Sequence, residues 1–171
     1  FLRIASARAG NVIGGGDWSK DRIIPDIINA SFNNKILNVR NPSSTRPWQH
    51  VLEALGGYLT LAEILFKEKS PPCEAFNFGP DKFSNKTVLE LINLVNTQLN
   101  FEWTVDNSKE VLYESKLLAL NIDKSNKYLN WKPKWDFKTT IRRTIEWYKE
   151  VKNNNNAIKS CMEDIDQFIN L

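Results

Sequence analysis

Two short stretches of this chain gather the residue types that can hold a charged, hydroxyl-rich ligand. The first is Arg8-Ala9-Gly10-Asn11-Val12-Ile13-Gly14-Gly15-Gly16-Asp17-Trp18. Consecutive glycines let a backbone take positive φ and approach a ligand closely; a flexible turn after a strand accounts for them equally well. The run is neither a G-x-G-x-x-G fingerprint nor a phosphate loop closed by Lys-Ser or Lys-Thr. The second is Arg46-Pro47-Trp48-Gln49-His50-Val51-Leu52-Glu53. Its guanidinium is a planar, permanently charged fork that can bind two phosphate oxygens at once, although an Arg beside Pro and Trp is also a common surface stack. Between the two, Asp21-Arg22-Ile23-Ile24-Pro25-Asp26 reads as a helix start, whose positive dipole end suits an anion. His50 is the only histidine, so sites built on several imidazoles are excluded, and zinc or Ser-His-Asp chemistry has little support. Cys73 and Cys161 form no C-x-x-C pair; free thiols in a reducing cytoplasm, with no metal, are the expectation.

The elements that must position these groups alternate between strand and helix. Residues 2–8 read as a strand running into a glycine-rich loop at 10–16. Residues 21–34 carry Ile24, Ile27, Ile28 and Phe32 at helical spacing, with Pro25 tolerable in the first turn. Residues 36–39 and 75–78 are short strands, and 101–105 alternates as one. From His50 to Lys67 the apolar positions 51, 55, 58, 59, 62 and 65 predict an amphipathic helix. Ser84 is placed to cap a helix running to about Leu99. Further helices are expected at 123–129 and 137–152, then a polar linker at 153–156. A last amphipathic helix at 157–170 should turn Ile158, Met162, Ile165 and Phe168 or Ile169 to one face. The alternation argues for an α/β fold, yet so few short strands leave unpaired edges that a Rossmann-type sheet would fill with strands from elsewhere.

Composition narrows the partners. Charged residues at 25% and hydrophobic residues at 42% are ordinary for a globular protein. A net charge of +3 with scattered Lys and Arg points to a solvated surface and no nucleic acid. No apolar run reaches the roughly 18 residues of a membrane span. The opening Phe1-Leu2-Arg3 has neither an initiator Met nor a signal-peptide layout, which is expected of a truncated or excised piece.

The motifs quoted above resemble the extended short-chain dehydrogenase/reductase family, the NAD-dependent epimerases and dehydratases of nucleotide sugars, and within it the CDP-glucose 4,6-dehydratase branch. Arg8, Asn11 and Gly14 match an R-x-x-N-x-x-G segment, and Arg46-Pro47-Trp48 resembles the R-D-W or R-P-W segment. Asn77-Phe78-Gly79 is similar to N-x-G, and Leu129-Asn130-Trp131-Lys132-Pro133 to L-G-W-x-P, with Asn130 able to take the left-handed conformation of the usual Gly. Tyr113-Glu114 stands where the family often has His-Glu, and Leu120-Asn121 where it has Leu-Asp. The resemblance implies the C-terminal, substrate-binding part of a Rossmann-type α/β fold, an incomplete parallel sheet with a helix-rich small domain. Residues 1–152 would belong to it, followed by the 153–156 linker and the 157–171 helix.

The resemblance also implies roles. Asn11, Arg22, Arg40, Arg46, His50, Asn77 and Tyr113 would contact a CDP-sugar, Arg46 clamping its diphosphate. The backbone at Ala9 and Gly10 would lie near the nicotinamide of NAD, most of which would be held by an N-terminal half. Glu53 would sit at a helix start as a dipole contact. No Tyr-x-x-x-Lys stands in a convincing setting, so the catalytic groups are expected upstream of Phe1 and the chain alone is expected to be inactive. The complete enzyme would be a cytoplasmic homo-oligomer of deoxysugar biosynthesis. Other nucleotide-sugar dehydratases, 4-epimerases, or a non-catalytic nucleotide-sugar-binding module are the alternatives.

Overall fold

The computed structural model describes residues 2–68, 72, 74–106, 116–154 and 156–171; Tyr113, expected among the ligand contacts, and Cys73 lie outside them. The described strands are β1 (Ser6–Ala9), β2 (Asn11–Ile13), β3 (Leu37–Val39), β4 (Thr45–His50), β5 (Ala75–Phe78), β6 (Asn85–Thr87) and β7 (Trp103–Val105). The helices are α1 (Ile23–Phe32), α2 (Val51–Lys67), α3 (Val88–Asn96), α4 (Asp123–Leu129), α5 (Phe137–Asn154) and α6 (Ala157–Ile169). No helix among the described residues is long and apolar enough to cross a membrane.

The strands form three small sheets. β1 pairs in parallel with β5, and β3 with β7. β4 is the centre of the third, parallel to β2 with Asn11 opposite Trp48, and antiparallel to β6 with Thr45 opposite Thr87. β4 was not foreseen as a strand. Its residues are nearly all buried, so it shows none of the alternation that marks a half-exposed strand. β6 likewise displaces the expected helix start at Ser84. Residues 85–87 are drawn out along β4, and Thr87 becomes the cap: its hydroxyl accepts from Glu90 N–H at 3.1 Å while Glu90 accepts from Thr87 N–H at 2.8 Å. This reciprocal pair is a capping box.

The main core lies between α1, α3, α5 and the β3 and β4 strands. Ile27, Ile28, Leu91, Ile92, Ile141, Ile145 and Tyr148 are fully buried in it. Each such aliphatic side chain contributes about 1.5–3 kcal/mol by leaving water. A smaller cluster joins Leu61 of α2 to Phe76 and Phe78 of β5 and to Leu129 and Trp131. Asn130 ends α4 in the left-handed conformation at φ 50°, the geometry that its place in the Leu-Asn-Trp turn required.

Two helices bury less of their expected apolar faces than the sequence suggests. α2 buries Ala54, Gly57 and Leu61, while Leu55, Tyr58, Leu59 and Phe66 point outward, Leu59 at 72% and Phe66 at 84% exposure. The reason is close packing: a Cβ on Gly57 would lie 2.2 Å from the Phe78 ring, so only the small-residue face lets α2 approach β5. α6 buries Ser160 and Asp164 and turns Ile158, Met162 and Ile169 outward. Polar partners hold it that way. Arg143 of α5 is ion-paired with Asp164, and the Ser160 hydroxyl donates to Glu150 at 2.8 Å. The expected 153–156 linker also contracts, because α5 runs through to Asn154 and Asn156 caps α6, accepting from Lys159 N–H at 3.0 Å. An Asn-rich run without Gly or Pro does not break a helix whose other faces are packed.

Candidate functional site

The end of β2, the start of α1, β3 and the first half of β4 enclose a cavity of about 690 Å³. Asn11, Arg22, Arg40 and Arg46 all line it, as does the backbone at Gly10. Four of the expected substrate contacts, from four separate segments of sequence, therefore converge. A second cavity of about 260 Å³ adjoins it, sharing Asp21, Asp26, Leu37, Asn38 and Arg40.

Each polar group is placed by its element. Asn11 is held by the β2–β4 pairing opposite Trp48, whose indole N–H donates to the Lys86 carbonyl at 2.9 Å. Arg46 follows Thr45 on β4 and is only 7% exposed, with one guanidinium N–H donated to the Thr45 carbonyl at 2.9 Å. Arg22 precedes α1 and pairs with Asp17 at 3.0 Å. Asp17 is slightly buried, which would raise its carboxyl, but hydrogen bonds from Ser19 and Arg22 hold it below the usual range. Gly10 packs against Pro47 as it lines the cavity. Ala9 pairs with Phe78 on the neighbouring sheet.

The glycine run has a definite structural cause. A Cβ on Gly15 would lie 2.0 Å from the Trp147 ring, so this residue is glycine to admit α5, whatever ligand the cavity takes. The start of α1 is not a simple anion site either. Asp17, Asp21 and Asp26 line that side of the cavity, while Arg40 and Arg46 line the β3–β4 side. The carboxylates counter the helix dipole, so an anionic group is better held at Arg46. These three aspartates were not singled out as ligand contacts. The visible signal was their spacing around Pro25, which fixes the first turn of α1 and sets Asp26 beside the cavity.

Two other expected contacts, His50 and Asn77, do not line the cavity. His50 is 2% exposed; its Nδ1 accepts from Leu52 N–H at 3.3 Å as the cap of α2, and its ring lies 4.7 Å from that of Trp135. Burial, and then the Arg143 charge, depress it to about 4, which makes it a neutral structural imidazole at neutral pH. The Asn77 amide donates to the Asn121 carbonyl at 3.0 Å, and Ser125 donates to the Asn77 carbonyl at 2.5 Å. Asn77 thus ties β5 to α4. Glu53 accepts from the backbone N–H groups of Lys134 and Trp135 at 2.8 and 2.6 Å. It anchors the turn before α5 to the start of α2, and burial pushes its carboxyl up.

The sequence does contain Tyr-x-x-x-Lys twice, and geometry disposes of both. Tyr128 and Lys132 are separated by the left-handed Asn130 that ends α4, so they do not share a helical face. Tyr148 is fully buried, donates its hydroxyl to the Asp17 carbonyl at 2.6 Å and is pushed up to about 12 by burial and by Asp17. A general base needs the opposite shift. Lys152, its nominal partner, sits over the Phe32 ring at 3.9 Å. No group of three His, Cys, Asp or Glu residues that could hold a metal occurs among the described residues.

No family model matches the chain. The CDP-glucose 4,6-dehydratase of Salmonella typhimurium is 43% identical over 148 residues, covering 85% of this chain and 41% of that enzyme. The chain is similar to this dehydratase over most of its own length and spans less than half of that enzyme. Among solved structures, the epimerase Mth375 of Methanothermobacter thermautotrophicus superposes with a TM-score of 0.75 at 23% identity, over 89% of this chain and 45% of that one. The UDP-glucuronic acid 4-epimerase of Bacillus cereus, in complex with UDP-glucuronic acid and NAD, gives 0.73 at 18% identity, over 88% and 46%. The chain thus has the α/β fold of these epimerases and spans less than half the length of each.

Proposed function

We propose that these residues form the nucleotide-sugar-binding part of a CDP-glucose 4,6-dehydratase. The observation that carries the reading is the convergence of Asn11, Arg22, Arg40 and Arg46 on one cavity; the sequence likeness to the Salmonella enzyme supports CDP-glucose as the sugar nucleotide. Arg46 grips the diphosphate with its guanidinium, kept in place by the buried β4 backbone and by Pro47. Asn11, at the mouth of β2, hydrogen-bonds the sugar or the diphosphate. Arg40, on the edge of β3, faces the base.

NAD, when bound to the complete enzyme, would supply the acceptor for a hydride from C4 of the glucose and the donor that returns it to C6 once water has left across C5 and C6. The product is CDP-4-keto-6-deoxyglucose. In this chain the backbone of Ala9 and Gly10, at the junction of β1 with the cavity, is the part that fits beside a nicotinamide. The proton chemistry needs a base that neither Tyr128 nor Tyr148 supplies. We therefore assign that base and most of the NAD site to a further segment of the protein, and expect the 171 residues alone to bind substrate without turning it over. The outward apolar face of α2 supports this, since a second unit packed there would cover Leu55, Leu59 and Phe66.

The test is to assay the protein joined to its dinucleotide-binding part, with NAD and CDP-glucose, following the sugar nucleotide by mass spectrometry. Loss of one water from CDP-glucose, and not from GDP-mannose or dTDP-glucose, supports the reading. Binding without water loss, with no base supplied by the joined part, would leave a binding module and end the dehydratase assignment.

A further inference from the structure

The cavity is electrically divided, with Asp17, Asp21 and Asp26 on its acidic side. Asp17 is neutralised by Arg22 at 3.0 Å. Asp26 has no ion-pair partner among the described residues: burial and the neighbouring Asp21 carboxylate push its carboxyl up, opposed by the Asp21 backbone N–H and by the Arg40 charge across the cleft. Asp26 is half-buried in the first turn of α1, after Pro25. It and Arg40 line both the main cavity and the smaller one that adjoins it. A pure acceptor and a pure donor therefore face one cleft, beyond the Arg46 end.

A flat ring can use that pattern if it presents donors and acceptors in the opposite order. Cytosine offers a 4-amino donor beside the N3 and O2 acceptors. Uracil and thymine offer the O4 acceptor beside an N3–H donor. An ionised carboxylate can only accept and a guanidinium can only donate, and an acidic side chain accepting from the cytosine 4-amino group is a known pairing chemistry. We propose that Asp26 determines the choice of base, its carboxylate accepting a hydrogen bond from the 4-amino group of cytosine while Arg40 donates to the ring's acceptor edge. This rests on the nucleotide-sugar reading of the cavity and deepens it. The discrimination comes as much from repulsion as attraction, because O4 of uracil or thymine would meet the carboxylate with two acceptors face to face.

The chain is titrated by calorimetry with CDP, UDP, dTDP and the diphosphate of the cytidine analogue that lacks the 4-amino group, using the wild type and Asp26→Asn. CDP is expected to bind about tenfold or more tighter than UDP, and the analogue to lose a similar factor, as for one hydrogen bond to a charged group. In Asp26→Asn, CDP should weaken by about that factor while UDP holds or improves, because a carboxamide can donate to O4. Removing the 4-amino group should then cost little. The comparison of CDP with its analogue on the unaltered protein requires no variant to fold, and an analogue that binds as well as CDP overturns the proposal. So does an Asp26→Asn variant, folded by circular dichroism, that weakens all four ligands alike or keeps the wild-type preference. Failure of every nucleotide to bind would overturn the reading of the cavity itself, a result distinct from binding without preference for cytosine.

Discussion

The walls of the cavity and the outer faces of α2 and α6 carry similar sequence signals and have opposite fates. Around the cavity, β2 and β6 each pair with the central β4, and the apolar stripes of α1 and α5 are buried beneath them. On α2 and α6 much of each apolar stripe lies in solvent, Leu59 and Phe66 on the one and Ile158 and Ile169 on the other, although Leu61 and Phe168 pack inward. Hydrophobic periodicity shows that a helix is amphipathic; what packs against it decides which face is inside. The cavity side is a finished structure, whereas the outer faces have the apolar character of surfaces that another protein layer covers.

The sharpest way to break this comparison is to remove the polar contact that turns α6. Arg143→Met would leave Asp164 buried without its cation, at a cost of about 3–5 kcal/mol in urea unfolding. Replacing both partners with apolar residues should recover most of that loss. If Arg143→Met were nearly silent, the ion pair would not be what orients α6.

Next in size is a pH effect at the start of α2. His50 is depressed from 6.5 to about 4, so between those values the unfolded chain binds a proton that the folded chain refuses. Its stabilising effect is complete above about pH 6.5 and is lost as pH falls toward 4, amounting to about 3 kcal/mol. His50→Asn, which keeps a capping oxygen for Leu52 N–H, should remove this component from the stability–pH profile. An unchanged profile would contradict a buried neutral imidazole.

Legibility in the sequence followed the same division. Asn11, Arg22, Arg40 and Arg46 drew attention as polar groups in short segments, and the structure brings all four to one cavity. His50 and Asn77 also stand in short motifs, and in the structure one caps α2 and the other ties β5 to the segment before α4; a motif records that a residue type is required without saying for what. β4 was hidden because burial on both sides erases alternation, and Pro47 and Arg46 argue locally against a strand. Gly15 could be read equally as a ligand loop or a turn. Only the three-dimensional approach of Trp147, which no local pattern announces, explains it. The facing of α2 depended on Gly57 meeting Phe78 across the sequence, which is equally non-local.

Gly15→Ala tests that packing, since the added methyl must displace the Trp147 ring. It should cost about 1–3 kcal/mol, read as a lower thermal midpoint, with the cavity-facing residues unchanged. The smallest effects are expected outside. Leu59→Gln on α2 and Ile158→Gln on α6 should each shift the stability of this chain by no more than about 0.5 kcal/mol. Losses above about 2 kcal/mol, the cost of truncating a buried core aliphatic, would show that these faces are already covered.

The most direct measurement is an amide chemical-shift titration of the chain with CDP-glucose. The account predicts that perturbations cluster at Gly10–Gly15, Asp21–Asp26 and residues 37–46, the segments that enclose the cavity, with the outer faces of α2 and α6 silent, and that Arg46→Ala weakens the saturable response at all of them together. A response confined to α2 or α6, or none at ligand concentrations that saturate the family's sites, would contradict the assignment of this cavity to a nucleotide sugar.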